Sequence, residues 1–464
     1  MNKKVIIIGA GIAGMSAAMH LINSGFAVEI IENNNKIGGR CFSFFDENNF
    51  NKLENPTQNN STSKINKKLF EIDNGQHLFS GAYKEFFELV KWLGNENIFS
   101  EKKNLKIDFL ELNKKQNFKY QLDCSKFNNL TGFAYGLSKM KGIGIFDKIF
   151  CNNILLAVLL NFKFEKDIST LEFFQKSGLS KKIIERLWKP MVVAMLNAPI
   201  EKASTKLFTS TLKKILTAGD NGFSLLHSKV PLSNIFNNFS EKIFSEKINN
   251  SENKIFFNST VKELLVENGI CKGIVKNNSE KIYSDYVIST LQPKQLAKIH
   301  SSFSNLENIF RSSPIISAYL WLNQPIMQSK YIACINSNIE WIFNKNNLLE
   351  ISDSENLQQI ALTISAASNL ISLDTQALLK IIDTEIKQIS NNENTKILAH
   401  RIIKDKNATP LITFENNALR PKTKTDISNF FLAGDWIQTG LPATIESAAL
   451  SGKLASMEIK KRSN

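Results

Sequence analysis

Two sets of residues in this chain have the types and spacing to do chemistry. The first is Gly9-Ala10-Gly11-Ile12-Ala13-Gly14, followed eighteen positions later by Glu32. Gly9 permits a tight turn, Gly11 lets backbone N–H groups approach a pyrophosphate, and Gly14 lets a helix pack closely on a strand. A helix starting here turns its positive dipole end, with the N–H groups of Ile12 and Ala13, toward that anion. Glu32 can accept hydrogen bonds from ribose hydroxyls. The second set is Asp73-Asn74-Gly75-Gln76-His77, a polar cluster between two apolar segments. His77, with an ordinary pKa near 6.5, suits an acid working around neutrality. Asp73 can orient it, or serve as the acid itself if burial raises its pKa. Asp73 and Asn74 can equally make a turn or cap a helix.

The flanking pattern supplies the elements that position these groups. Val5 to Ile8 is a short β-branched run, right for a strand buried on both faces. Ala17, Ala18 and Leu21 recur at helical spacing, Gly25 closes that helix, and Ala27 to Ile31 is a second strand ending on Glu32. Phe42, Phe44 and Phe45 suggest another strand. Glu47 to Lys68, rich in Asn, Lys and Ser, reads as an exposed loop or hairpin insertion. The polar cluster is expected to open a helix in which Tyr83, Phe87 and Val90 share a face and Gly94 is the stop. Helical stretches follow, including Ile145 to Phe164 and Thr170 to Ala194; strands return at 254–289, 314–322, 340–343 and 360–366, and Leu370 to Ile389 is an amphipathic helix. Phe430 to Ala433 is a buried strand ending in Gly434-Asp435-Trp436. After it, Gly440 to Ser447 starts the last helix, with Pro442 in its first turn and Ala448, Gly452 and Ala455 as a close-packing face.

Bulk properties narrow the class. A chain of 464 residues with 43% hydrophobic and 22% charged residues is a multi-domain globular protein. Its net charge of +14 does not imply nucleic acid, because the basic residues are dispersed and only six of the 57 are Arg. A positive chain still favours an anionic membrane surface. Five widely spaced cysteines give neither a disulfide framework nor a zinc pattern, and no metal site is expected. The longest apolar run, Ile154 to Leu160, has seven residues against the roughly 20 that span a bilayer. With the first strand at the very start, no signal peptide is expected, and the location reads as cytoplasmic, at most peripheral on the inner membrane.

Lys36-Ile37-Gly38-Gly39-Arg40, placed just after the ribose acid, resembles the FAD proteins of the amine oxidase and phytoene desaturase superfamily. There Gly39 and Arg40 lie against the phosphate and flavin portions, and the Arg40 fork suits a phosphate. "DNGQH" at 73–77 and "GDW…TGLPATIESA" at 434–448 are similar to the hydroxysqualene dehydroxylase branch, also described as squalene-associated FAD-dependent desaturases. Trp188-Lys189-Pro190 with Asn197-Ala198-Pro199 resembles its "W.P…N.P" region.

The resemblance implies an α/β fold: a Rossmann-type FAD-binding domain (amine oxidase and glutathione reductase-like) with an interleaved α+β substrate domain. The FAD-binding part would be discontinuous, at 1–80, 250–300 and 405–464. Residues 81–249 and 301–404 would bind substrate, with a helical membrane-facing part. It implies noncovalent FAD held by Gly9, Gly11, Ile12, Ala13, Gly14, Glu32, Gly38, Gly39, Arg40, Gly75, Gln76, Val261, Gly434, Asp435, Ala443, Thr444 and Ile445. His77 and Asp73 are the candidates for proton transfer. The implied reaction is reductive dehydroxylation of hydroxysqualene to squalene, toward hopanoids, on an apolar isoprenoid substrate with transient membrane-surface contact. The reductant stays open. So do a polyene desaturase or amine oxidase on the same scaffold, and a non-enzymatic prenyl-binding protein.

Overall fold

In the computed structural model of the chain, residues 3–54, 66–127, 129–160, 166–219, 222–245, 252–351 and 357–463 are described. β1 (Lys4–Ile8) runs through the glycine turn into α1 (Ile12–Ile22) and back along β2 (Ala27–Ile31). β1 is buried from Val5 onward, as its β-branched run requires, because it lies mid-sheet with parallel neighbours on both sides. Those neighbours are β2 and Tyr286–Ser289; Lys254–Phe256 and Phe430–Leu432 complete five parallel strands. Three far-apart regions of chain thus converge on one sheet. The C-terminal helix Ile445–Ser463 packs on α1 through small residues. A Cβ on Gly452 would sit 2.2 Å from the Ala13 carbonyl oxygen, and the Ser16 hydroxyl donates to the Ala449 carbonyl at 2.7 Å. Contact this close admits no side chain.

Several expectations are corrected around the polar cluster. β3 (Ser43–Phe45) leads into α2 (Glu47–Glu54), so the first part of the polar insertion is helical; it buries Phe50 and Leu53, one apolar pair at i, i+3 hidden in Asn-rich sequence. The remainder of that segment, 55–65, lies outside the described residues. Asp73 does not open a helix: β4 (Glu71–Asp73) pairs antiparallel with β3, and β5 (Phe79–Ser80) follows. α3 (Lys84–Leu93) starts only after Tyr83 and buries Phe86, Leu89, Val90 and Leu93, a register set by the pairing of Phe79 and Ser80 with Leu226 and Leu225. Gly94 does stop it, in the left-handed conformation at φ +75°.

The stretch expected as one helix over 170–194 is broken. Thr170–Lys176 ends at Gly178, and the chain restarts behind the Ser180 cap. Residues Ile184–Trp188 form a wider turn ahead of Lys189–Leu196. Pro190 has no N–H to give the carbonyl four residues back. That carbonyl, of Arg186, instead accepts from the Tyr120 hydroxyl at 2.9 Å.

A seven-stranded mixed sheet forms the second body, in the order 397–410, 312–322, 358–364, 341–344, 331–335, 106–111, 118–123. Alternation gives it two different faces. Leu320, Ile342 and Leu362 pack outward under Ile382 and Ile386 of the helix Thr375–Ser390. Tyr319, Trp321, Ala361, Trp341 and Phe343 face inward to the main core. Helices between residues 129 and 217 close the inner side, among them α4 (Asn129–Lys139) and α5 (Ile145–Leu159). All five cysteines are free and buried.

Candidate functional site

The dinucleotide turn has the geometry its glycines suggested, and packing separates their roles. Gly9 sits at φ +102°, and a Cβ on Gly14 would lie 2.0 Å from the Gly9 carbonyl oxygen, so the fold itself demands both. Gly11 is different. A Cβ there would meet nothing nearer than the Gly39 Cα at 3.9 Å. The open space lies before the first turn of α1, whose N–H groups have no helical carbonyl to reach, and Gly11 offers no side-chain cap. Gly38 and Gly39 cross over this turn, with the Gly38 N–H donating to the Ala10 carbonyl at 2.9 Å. Glu32 is buried, accepting from the Ala10 and Asn34 N–H groups, each at 2.8 Å. Val261 begins the strand next to this corner, where the Ser259 N–H donates to the Glu32 carbonyl.

Arg40 and Asp435, expected to meet the cofactor separately, meet each other. The Arg40 guanidinium donates to Asp435 at 2.7 Å and to the Ala408 carbonyl at 2.6 Å; the other Asp435 oxygen accepts from Gln292 at 3.1 Å. The fork that suits a phosphate is here closed on a carboxylate and a carbonyl.

The Asp73–His77 segment runs between the two bodies. The Asp73 carboxylate accepts from the Ser43 hydroxyl at 2.7 Å and the Leu232 N–H at 3.0 Å, with the Lys345 ammonium 3.5 Å away. Its carbonyl accepts from the Tyr319 hydroxyl at 3.0 Å. Every one of these neighbours donates, which makes Asp73 a clamp joining both bodies and explains why it stays in a strand. Lys345 also donates to Gln76 at 2.9 Å, and a Cβ on Gly75 would crowd the Ser317 hydroxyl at 3.3 Å. His77 is half-buried, its ring 6.4 Å from that of Phe79. Burial pushes its pKa below 6.5, outweighing the pull of Asp73, and the Arg40 charge pushes the same way. The imidazole is therefore neutral at pH 7, against the expectation of titration around neutrality.

The C-terminal segment is shaped by residues that sequence reading missed. Arg420, buried, donates to three backbone carbonyls at once: Trp436 at 3.0 Å, Leu441 at 2.7 Å and Asp435 at 3.0 Å. The last helix starts at Ile445, not at Pro442, because the Thr444 hydroxyl accepts the Ser447 N–H and caps it. Ala443, Thr444 and Ile445 stay partly open while their neighbours are buried, and Gly434, at φ +133°, donates its N–H to the Ser451 hydroxyl at 2.7 Å. Glu446, 1% exposed, accepts from the N–H groups of Lys84, Glu85 and Phe86 at the start of α3 and pairs with Lys214. The signal for Arg420 was present: in a chain that uses Lys almost everywhere, an Arg marks a need for fork geometry.

A family model for flavin-containing amine oxidoreductases matches residues 12–460. The chain belongs to that family. It is a flavin-dependent oxidoreductase with FAD as its cofactor, and the α/β fold with a parallel nucleotide sheet and a separate mixed sheet is the family's. The open cradle at Gly11, the helix start beside it and the buried Glu32 carboxylate fit a dinucleotide's pyrophosphate and ribose. Relatives include hydroxysqualene dehydroxylase from Sinorhizobium fredii, 25% identical with 98% of both chains covered, and that from Zymomonas mobilis, 25% identical with 97% of each covered. The 15-cis-phytoene desaturase of Synechococcus elongatus is 21% identical, over 99% of this chain and 96% of its own. Among solved structures, cyclohexylamine oxidase from Brevibacterium oxydans superposes with a TM-score of 0.67 at 12% identity, covering 100% of this chain and 99% of that one. Among the described residues of this amine oxidoreductase, no helix is long and apolar enough to cross a membrane.

Proposed function

We propose that this flavoprotein reduces a polyisoprenoid alcohol, removing the hydroxyl of hydroxysqualene to give squalene, a step toward hopanoids. The observation that carries the reading is the sheet face over the Asp73–His77 segment. Tyr319 bonds that segment directly, and Trp321, Ala361, Trp341 and Phe343 continue the face as a buried, largely aromatic wall of the main core. Such a surface suits a hydrocarbon chain and can stabilise cationic character in a substrate that loses hydroxide. The two dehydroxylases aligned end to end support the same reaction. The oxidative alternative, polyene desaturation, draws on the phytoene desaturase likeness.

In this reading Gly9, Gly11, Gly14, Gly38 and Gly39 with Glu32 hold FAD noncovalently, and Cys41, buried with its thiol pushed up to about 12, forms no bond to it. Val261 would meet the adenine, Gly75, Gln76, Gly434 and Asp435 would border the flavin side, and Ala443 to Ile445 would offer it the helix start. Arg40 holds Asp435 in place. FAD held there and reduced by an external two-electron donor would supply the hydride. The C–O bond breaks, hydride fills the carbon, and a proton leaves with the hydroxide as water. His77 gives that proton, while Asp73 and Lys345 fix the segment that carries it. The substrate reaches the site from a membrane surface to which the protein binds peripherally.

The test is anaerobic incubation of reduced holoprotein with hydroxysqualene, with squalene as the expected product; hydroxysqualene left unchanged there, together with desaturation of phytoene by oxidised holoprotein, refutes the reading. In single turnover, His77→Gln should slow the step by about 10²–10⁴-fold with flavin content unchanged. The wild-type rate should rise as pH falls below neutrality, because a depressed pKa leaves only a small imidazolium fraction at pH 7; the variant should lose that slope. A variant within a few-fold of wild type removes His77 from the chemistry.

A further inference from the structure

α5 is apolar on both sides. Cys151, Ile154, Leu155 and Val158 face the core and are buried. From its start to the residue that ends it, six side chains are exposed, and five of them are apolar: Ile145 at 65%, Phe146 at 71%, Ile149 at 48%, Leu156 at 49% and Leu160 at 73%. The sixth is Asn153. Ile145, Ile149, Leu156 and Leu160 recur at intervals of four, seven and four, a single helical stripe, with Phe146 beside it. A helix apolar all round is normally covered on all sides.

Charge points to what covers it. Lys139 and Lys141, both exposed, precede the helix, and Lys148 in its second turn donates to the Ser138 carbonyl at 2.6 Å. The only acid on α5, Asp147, is turned inward, accepting from the Ser180 N–H and hydroxyl at 2.9 and 2.7 Å. The turn at 140–144 carries no carboxylate. The outer side thus combines an apolar stripe with ammonium groups at one end.

We propose that α5 and the turn before it form the docking surface for an anionic lipid bilayer, the stripe lying in the acyl boundary and the lysines among the headgroups. This rests on the reading that the substrate is a membrane-held polyisoprenoid, and names the surface through which that membrane is met. A second copy of the chain fits less well. Five partly exposed side chains offer on the order of 500 Å², short of the roughly 800 Å² per partner of a standard interface.

The test uses full-length holoprotein and flotation with vesicles of phosphatidylcholine, with and without about a third phosphatidylglycerol. Wild type should float with the anionic vesicles, less so at high salt. Ile149→Glu/Leu156→Glu should lose at least tenfold in partitioning. Lys139→Gln/Lys141→Gln should lose about fivefold per lysine on anionic vesicles only. Both pairs should keep full flavin and turn over hydroxysqualene dispersed in detergent within twofold of wild type. Flotation of Ile149→Glu/Leu156→Glu equal to wild type overturns the proposal. So does light scattering that finds a wild-type dimer split by the same pair. If no variant or wild-type protein makes squalene while flotation behaves as described, the docking surface stands and the substrate reading falls.

Discussion

Replacing Arg420 tests how the C-terminal segment is held. Its three donors fix the backbone at Asp435, Trp436 and Leu441, the stretch between the last strand and the start of the last helix. Burial pulls its pKa down to about 10, so it stays charged at pH 7. Each hydrogen bond from a charged donor is worth about 1.5–3 kcal/mol, about 4.5–9 for three. Against that stands a desolvation cost of several kcal/mol for a buried ion, which Arg420→Met abolishes. The remainder, with three carbonyls left to find other partners, is about 3–5 kcal/mol. Arg420→Lys keeps the charge but can reach fewer of the three carbonyls, because an ammonium lacks the planar fork. It should fall between wild type and Met.

The assay follows urea unfolding by tryptophan fluorescence and, separately, FAD dissociation from native holoprotein. Arg311→Met, at an exposed position, controls for loss of one positive charge. The expected order of both midpoint and FAD retention is wild type and Arg311→Met, then Arg420→Lys, then Arg420→Met. FAD should dissociate at least tenfold faster from Arg420→Met, because the segment it releases includes Asp435. If Arg420→Met does not accumulate, the Lys variant still carries the test. An Arg420→Lys protein that matches wild type in both readouts would mean that the segment holds itself.

Three further outcomes are expected. Glu32→Ala should weaken FAD binding about ten- to hundredfold, read by titrating apoprotein, since it removes an acceptor fixed by Ala10 and Asn34. Burial raises the Glu340 carboxyl to about 7, only partly offset by the Ser365 N–H at 2.8 Å. The folded protein therefore holds a proton between pH 4.5 and 7 that the unfolded chain has lost. That lowers stability by on the order of 2–3 kcal/mol as pH rises through the window, so Glu340→Gln should gain on wild type at pH 8 but not below pH 4.5. Lys345→Met strands the buried Asp73 carboxylate and should cost about 3–5 kcal/mol, while Lys345→Met/Asp73→Asn should recover much of it in a double-mutant cycle of urea midpoints.

Legibility in this sequence followed the range of the forces involved. The dinucleotide half was readable because its determinants are local: a β-branched strand, glycines that packing forbids replacing at positions 9 and 14, and an acid at the end of the next strand. The left-handed stop at Gly94 and the small-residue face at Gly452 were readable for the same reason. What failed was whatever depends on a partner far away in sequence. Asp73 is placed by Ser43, Leu232, Tyr319 and Lys345, so its local neighbours suggested a helix that does not form. The Arg40 contact with Asp435 spans 395 positions, and no spacing rule reaches so far.

Arginine is the one long-range signal the composition did carry. With only six among 57 basic residues, retention of Arg implies that a lysine cannot do the work. Three of the six bear this out in geometry. Arg40 bridges Asp435 and Ala408, and Arg420 gathers three carbonyls. Arg186 pairs with Glu111 at 2.5 Å, bonds the Gly142 carbonyl at 2.5 Å and stacks over Phe118 at 4.9 Å. Each ties together elements that separate parts of the chain supply, and two of them hold the segment around Asp435. In a lysine-rich sequence the sparse arginines therefore mark where distant backbone must be fixed from one point, which is the part of a site that motifs leave out.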